Sequence, residues 1–303
     1  MTETAVLTAE IRRLRDARRA VLLAHNYQRP EVQDAADFTG DSLELARRAA
    51  TTDAEVIVFC GVTFMAETAK ILSPERTVLL PRMDASCPMA EMTDLAGLRK
   101  LKAEHPGAVV AAYVNSTAEV KAESDVCVTS ANAVRIVQRL EGDTVIFLPD
   151  RNLASWVARF TDKKIIPWPG FCYVHEQFTA ADAVEAKRLH PDAVLMVHPE
   201  CRADVADLAD EVLSTSGMLK FAAESGSRRF IVGTEQGILH RLKKENPGKE
   251  FLSLGPVRTC LTMKKTRLED VRDSLKHMRH EITLPVPLMN RARTALERML
   301  SYA

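Results

Sequence analysis

Three cysteines in this chain keep step with one another. Cys87, Cys172 and Cys260 lie 85 and 88 residues apart, while His25, Tyr113 and His198 are spaced by 88 and 85, and Ser42, Ser130 and Thr215 by the same two steps. Three thiolates drawn from equivalent, distant places suit a metal centre with one open position, either zinc or an iron–sulfur cluster with one iron free. Zinc bound by three cysteines usually takes two of them from one knuckle, so one thiolate per repeat favours the larger cluster. The surroundings are those of loops: Pro88 follows Cys87, and Pro169 and Gly170 precede Cys172 in WPGFCYVH. Cys60, Cys127 and Cys201 do not recur under the same steps and read as ordinary buried thiols.

The polar residues point to a small anionic substrate. His25, Tyr113 and His198 fall at the ends of apolar runs, with Tyr27, Asn115 and Glu200 two residues beyond. Singly, a strand-end histidine is a structural residue and a hydroxyl before a helix is a cap. Together on one surface they are too many for a plain interface. Ser42, Ser130 and Thr215, with the free N–H groups of the helices they precede, would hold carboxylate or phosphate. Glu200 and the histidines could move protons, and an open iron could act as a Lewis acid that promotes loss of water.

These positions need a scaffold that repeats. VLLAH, EVIVFCG, AVVAAYV, TVIFLPD, AVLMVH and RFIVG read as strands, separated by amphipathic stretches such as SLELARRAA and ANAVRIVQRL. Phe59, Phe147 and Ile231 add a further match at steps of 88 and 84. The pattern predicts an α/β fold of three homologous α/β/α sandwich units with short parallel sheets about a pseudo-threefold axis. The units span residues 1–87, 88–172 and 173–273. Residues 274–303 form a closing helix, with Leu288, Ala292, Leu296, Met299 and Leu300 as an apolar stripe, expected to pack back on the first unit. Ligands of such sheets bind at the carboxyl ends of the strands, so convergence of the units would assemble one site.

Length and charge agree. A chain of 303 residues exceeds one comfortable core, and 46% apolar with 27% charged residues is the composition of a globular protein. Forty-one basic residues balance 41 acidic ones, which argues against nucleic acid as a partner. The apolar runs are too short to span a membrane and the first residues too charged for a signal peptide, so the reading is a cytoplasmic protein. In that reducing compartment disulfides are a poor use of the cysteines.

The segments AHNYQRPEVQDAADFTGDSLELA, FCGVTFMAETAKIL, YVNSTAEVKAESDVCVTSANAV, FLPDRNLASWV, WPGFCYVH, VHPEC and CLTMKKTRLEDV together resemble the quinolinate synthase family over nearly the whole chain. The resemblance implies three α/β/α domains around a 4Fe-4S cluster bound by Cys87, Cys172 and Cys260, with the fourth iron left for substrate. It implies condensation of iminoaspartate with dihydroxyacetone phosphate to quinolinate, with loss of phosphate and two waters, in de novo NAD biosynthesis. Functional coupling to an L-aspartate oxidase follows from the same resemblance. Substrate contacts carry over to His25, Ser42, Tyr113, Asn115, Ser130, His198, Glu200 and Thr215. Glu200 is the implied general base, with Tyr27, His198 and His25 assisting. Pro88 stands where family members often have serine, and no CxxCxxC surrounds Cys260, so the thiol–disulfide switch of longer relatives does not transfer. Two other readings use the same residues: an iron–sulfur or zinc hydro-lyase without condensation, and a small-anion binding protein.

Overall fold

The computed structural model describes residues 2–302. Helix and strand alternate four times in each of three units. The first holds α1 (Glu3–Ala17), β1 (Ala20–His25), α2 (Pro30–Ala35), β2 (Phe38–Gly40), α3 (Ser42–Thr51), β3 (Val56–Cys60), α4 (Thr63–Leu72) and β4 (Thr77–Leu79). The second holds α5 (Leu95–Glu104), β5 (Val109–Tyr113), α6 (Ala118–Ala122), β6 (Val126–Val128), α7 (Ala133–Arg139), β7 (Thr144–Leu148), α8 (Arg151–Ala158) and β8 (Lys164–Pro167). The third holds α9 (Ala180–Leu189), β9 (Val194–Val197), α10 (Ala203–Ala206), β10 (Glu211–Val212), α11 (Thr215–Glu224), β11 (Arg229–Gly233), α12 (Ile238–Glu245) and β12 (Glu250–Ser253). Two helices follow, α13 (Leu268–His277) and α14 (Val286–Ser301).

Each unit forms a four-stranded parallel sheet in the order second, first, third, fourth, flanked by helices. The α/β architecture expected from the sequence is therefore present three times. Central strands such as β3 and β7 are buried on both faces, which is why they read as unbroken apolar runs without alternation. The strand order reverses between the first and third strand of every sheet, and the crevice there lies at the carboxyl ends. His25, Tyr113 and His198 are at or just past the ends of β1, β5 and β9.

The cysteine loops are the crossings between units. After Cys87 the chain enters α5, whose Leu98 packs with Val110, Ile146 and Leu148 of the second sheet. After Cys172 it enters α9, whose Ala183 and Ala186 pack with Leu195 and Val197 of the third. After Cys260 it enters α13, whose Leu268, Val271 and Leu275 pack with Leu7, Ile11 and Leu22, back on the first sheet beside α1. These helices begin at Leu95, Ala180 and Leu268, the same steps of 85 and 88. The chain thus carries a fourth copy of its opening helix, and that copy closes the ring of units. A 3-10 turn separates each cysteine from its helix, and each cysteine carbonyl accepts from the amide four residues on: Glu91 at 3.3 Å, Glu176 at 2.9 Å and Lys264 at 3.1 Å.

The last helix differs from expectation. The sequence places it on the first unit, and α14 packs there against α4 but also against α6 and β6 of the second unit. Met289, Ala292, Ala295, Leu296 and Met299 are buried in one apolar cluster with Ala69, Ala118 and Val126, while Leu288 and Leu300 are only partly covered. The buried stripe is wide enough to meet two surfaces, which a single stripe read from sequence does not reveal. Arg293 fixes the first-unit side, donating from Nε and Nη2 to the Ile71 carbonyl at 3.0 and 2.9 Å. No described helix is long and apolar enough to cross a membrane.

Because Leu296 is fully buried in this seam, Leu296→Ala is expected to destabilise the protein by about 2–5 kcal/mol, read as a lower melting temperature of the whole chain. An unchanged melting temperature would mean that α14 frays independently of the units it joins.

Candidate active site

Residues two positions past the strand ends decide how the histidines face. The Tyr27 amide donates to His25 Nδ1 at 3.1 Å, and the Glu200 amide donates to His198 Nδ1 at 3.3 Å. Nδ1 is therefore the acceptor in both rings, and Nε2 carries the proton. Burial, with lesser effects of nearby charges, lowers both histidines to about 3, so each is a neutral N–H donor at neutral pH. His198 Nε2 lies 3.2 Å from Ser130 Oγ, to which it donates. The same local motif thus produces two like-oriented donors from two units.

The hydroxyls are not caps, contrary to the sequence reading. Asp41 caps α3, accepting from the Leu43 and Glu44 amides at 2.9 Å each, and Ser214 caps α11, accepting from the Gly217 amide at 3.2 Å. Ser42 and Thr215 are the first helical residues, one past the caps. Ser130 lies in a turn three residues before α7, a turn closed by Asn132 Oδ1 accepting from the Thr129 amide at 2.6 Å. Capping by a neighbour leaves the Ser42 and Thr215 hydroxyls at helix entrances, and Ser130 stands at the entrance of its turn. Thr215 Oγ1 accepts from Asn26 Nδ2 at 3.0 Å, which ties the third unit to the first.

One cavity gathers these groups. Its wall includes His25, Tyr27 and Ser42 from the first unit, Tyr113, Asn115 and Ser130 from the second, and His198, Glu200 and Thr215 from the third. Cys87, Cys172 and Cys260 line it too, while Val62, Phe64, Met65, Met89, Val174 and Met263 supply an apolar part of the wall. Cys60, Cys127 and Cys201 lie elsewhere, buried in the sheet cores at 1%, 0% and 2% exposure.

Glu200 is the buried charge at the centre. Tyr113 donates its hydroxyl to Oε1 at 2.6 Å, and His175 Nδ1 lies 2.8 Å from Oε2, though its ring is turned off the line of a hydrogen bond. Burial alone would raise the Glu200 carboxyl, but His175, His198 and the Tyr113 hydroxyl outweigh it and hold the group below the usual carboxylate range. Burial, reinforced by the Glu200 charge, raises the Tyr27 and Tyr113 phenols well above their ordinary value, so both keep their protons. His175 Nε2 is 2.7 Å from Thr234 Oγ1, which is 2.5 Å from the Tyr27 hydroxyl. Tyr113, Glu200, His175, Thr234 and Tyr27 therefore form a continuous polar chain across three units.

Sequence reasoning passed over His175 and Thr234. Neither occupies a repeated position of the kind that marked the others, although His175 stands three residues after Cys172 and Thr234 directly follows β11. A strand-end threonine and a histidine beside a loop cysteine were the available signals. Three buried polar atoms on the cavity wall, Asn115 Oδ1, Thr129 Oγ1 and His175 Nδ1, have no hydrogen-bond partner in the protein. An unpaired buried polar atom costs about 1–3 kcal/mol, so these suit a polar ligand.

Cys87 and Cys172 have thiols raised by burial, the former to about 12, and further by charged neighbours that include Glu200 and another of the three cysteines, against backbone N–H groups that pull them down. The sulfurs thus share one electrostatic neighbourhood. Among the described residues, only Cys172, His175 and Glu200 bring three possible ligand atoms within 4.8 Å of one another. Thiolates around a single zinc would stand about 3.8 Å apart, given ~2.3 Å bonds in a tetrahedron. The three cysteine sulfurs line the same cavity but do not all lie within 4.8 Å of one another.

The family model described as quinolinate synthetase A protein matches residues 9–301. The quinolinate synthase of Methanoregula boonei is 57% identical over 301 residues, covering 99% of this chain and all of that protein. Quinolinate synthase of Geobacter sp. is 54% identical over 295 residues, 97% of each chain, and quinolinate synthase 1 of Methanosarcina acetivorans is 52% identical over 299 residues, 99% of this chain and 98% of its own. With matches of this extent at both levels, and a cavity built from three repeats of one unit, the chain belongs to the quinolinate synthetase A family of enzymes.

Proposed function

We propose that the protein condenses iminoaspartate with dihydroxyacetone phosphate to quinolinate, with loss of phosphate and two waters, on a 4Fe-4S cluster bound by Cys87, Cys172 and Cys260. The observation that carries the reading is one cavity wall with a loop cysteine from each unit crossing, anion-ready helix entrances and a buried carboxylate. Three soft thiolates, one from each unit crossing and not all within 4.8 Å of one another, fit a cluster. A bound cluster with an open iron would supply Lewis acidity toward a substrate oxygen.

The chain's own residues do the rest. Ser42 and Thr215, at the N-termini of the ten-residue helices α3 and α11, bind carboxylate or phosphate together with Ser130 and Asn115. His25 and His198 donate Nε2–H to substrate oxygens without changing charge. A carboxylate as stabilised as Glu200 is a weak base by itself. It therefore takes the substrate proton with the His175 ring beside it, Nδ1 standing 2.8 Å from Oε2. Tyr113 orients Glu200 through its 2.6 Å bond. Tyr27 is the phenol at the other end of the chain and returns a proton to a leaving oxygen through Thr234 and His175. The reading includes supply of the hydrolysable imine by an L-aspartate oxidase in the same, reducing cytoplasm.

The tight group of Cys172, His175 and Glu200 favours one second reading, a zinc hydro-lyase. Anaerobic purification separates the two. A brown protein with about four iron per chain and turnover of iminoaspartate with dihydroxyacetone phosphate is the expected result. One zinc per chain and no colour would replace the cluster with the second reading.

Glu200→Gln is expected to lower turnover by about 10²–10⁴-fold while substrate binding, followed by calorimetry, persists. Unchanged turnover would remove Glu200 from the mechanism, and equal loss of binding and turnover would make it a binding residue only.

A further inference from the structure

The threefold repeat contains its own control. Val62, Asp150 and Glu235 occupy equivalent places directly before or within the turn after the third strand of each sheet, at steps of 88 and 85. One backbone contact beside them recurs in all three units. The amides of Thr63, Arg151 and Gln236 donate to the carbonyls of Ala85, Gly170 and Arg258, at 2.9, 2.8 and 3.1 Å, each carbonyl lying two residues before a cysteine. The side chains are not the same. Asp150 and Glu235 are fully buried carboxylates, whereas Val62 is apolar.

Both carboxylates reach the cysteine loops. Asp150 Oδ2 accepts from the Cys172 amide at 3.1 Å while Oδ1 caps α8 through the Leu153 amide at 2.6 Å. Glu235 Oε1 accepts from the Cys260 amide at 3.1 Å, and Oε2 accepts from the Gly237 amide at 2.7 Å and from Lys264 Nζ at 3.1 Å. Among the described residues no side chain accepts from the Cys87 amide. The Asp150 arrangement has little slack, since a Cβ on Gly170 would sit 2.5 Å from the Pro149 carbonyl oxygen.

We propose that Asp150 and Glu235 are positioning residues that clamp Cys172 and Cys260 in their ligating orientation, and that Cys87, which has no such clamp, is the compliant ligand of the three. The proposal rests on the cluster reading above. A helix cap needs only one carboxylate oxygen, so the second oxygen of Asp150 is free for the cysteine amide. Groups that orient a ligand from behind typically change metal retention by 10–100-fold when removed.

Asp150→Asn and Glu235→Gln test this, because each keeps one acceptor oxygen and loses the other. Asparagine remains a good cap, so α8 is preserved. In metal-free protein, amide hydrogen exchange at Cys172 is expected to quicken about tenfold in Asp150→Asn, with Cys260 unchanged, and the reverse in Glu235→Gln. In wild-type protein the Cys87 amide exchanges fastest of the three. In iron-loaded protein, each variant releases iron to a chelator at least about tenfold faster than wild type. Exchange that rises equally at all three cysteines, or iron release that stays at the wild-type rate, overturns the proposal. If Asp150→Asn does not fold, Asp150→Ser, which also caps but is too short to reach Cys172, takes its place. Iron content of the wild type is measured separately. Its absence removes the cluster reading, while the exchange data still decide whether the clamps exist.

Discussion

A parallel sheet offers its chemistry at one end only. Helix entrances, strand-end side chains and the crevice at the point of strand reversal all lie at the carboxyl ends, and the opposite edge carries nothing comparable. A unit with a four-stranded sheet has room there for a few polar residues, too few to surround a substrate. The enzyme therefore faces three such ends at one another, and the rest of the architecture makes that possible. Each cysteine loop crosses from one unit to the next, so the three cysteines lie where units meet. The fourth copy of the opening helix, α13, returns the chain to the first sheet, and α14 fills the seam between the first and second units.

Convergence has an electrostatic cost, met by neutrality. Nearly every titratable group in the cavity is held in its uncharged form by burial: His25 and His198 deprotonated, Tyr27 and Tyr113 protonated, the Cys87 and Cys172 thiols protonated in the bare protein. Glu200 and Glu235 are exceptions: Tyr113 and His175 stand beside the two oxygens of Glu200, and Lys264 pairs with Glu235. A site whose few charges are partnered and whose other groups are neutral donors can bind anions without repelling them from every side. A chain with no net charge can thus attract an anion through oriented N–H groups and without a basic surface.

Duplication has also left useful asymmetry. Equivalent positions hold His25, Tyr113 and His198, so two units contribute N–H donors and the third contributes the phenol that holds Glu200. Val62, Asp150 and Glu235 diverge in the same manner, with an apolar side chain at the first cysteine loop and carboxylates at the other two. A symmetric frame thus surrounds an asymmetric site.

Much of this was legible in the sequence because repetition converts spacing into geometry. If Cys87, Cys172 and Cys260 recur in register with His25, Tyr113 and His198, equivalence in sequence implies equivalence in place, and the α/β units and the membership of the cavity follow. Repetition is silent wherever the copies differ. His175 and Thr234 belong to single units, and their contact with Glu200 and Tyr27 exists only because separate units meet. That Asp41 and Ser214 do the capping, freeing Ser42 and Thr215, turns on backbone angles one residue apart, beyond the resolution of a sequence pattern. The place of α14 across a seam was likewise decided by tertiary structure. An apolar stripe states that a face is buried and leaves open which surface buries it, since hydrophobic burial has no direction of its own.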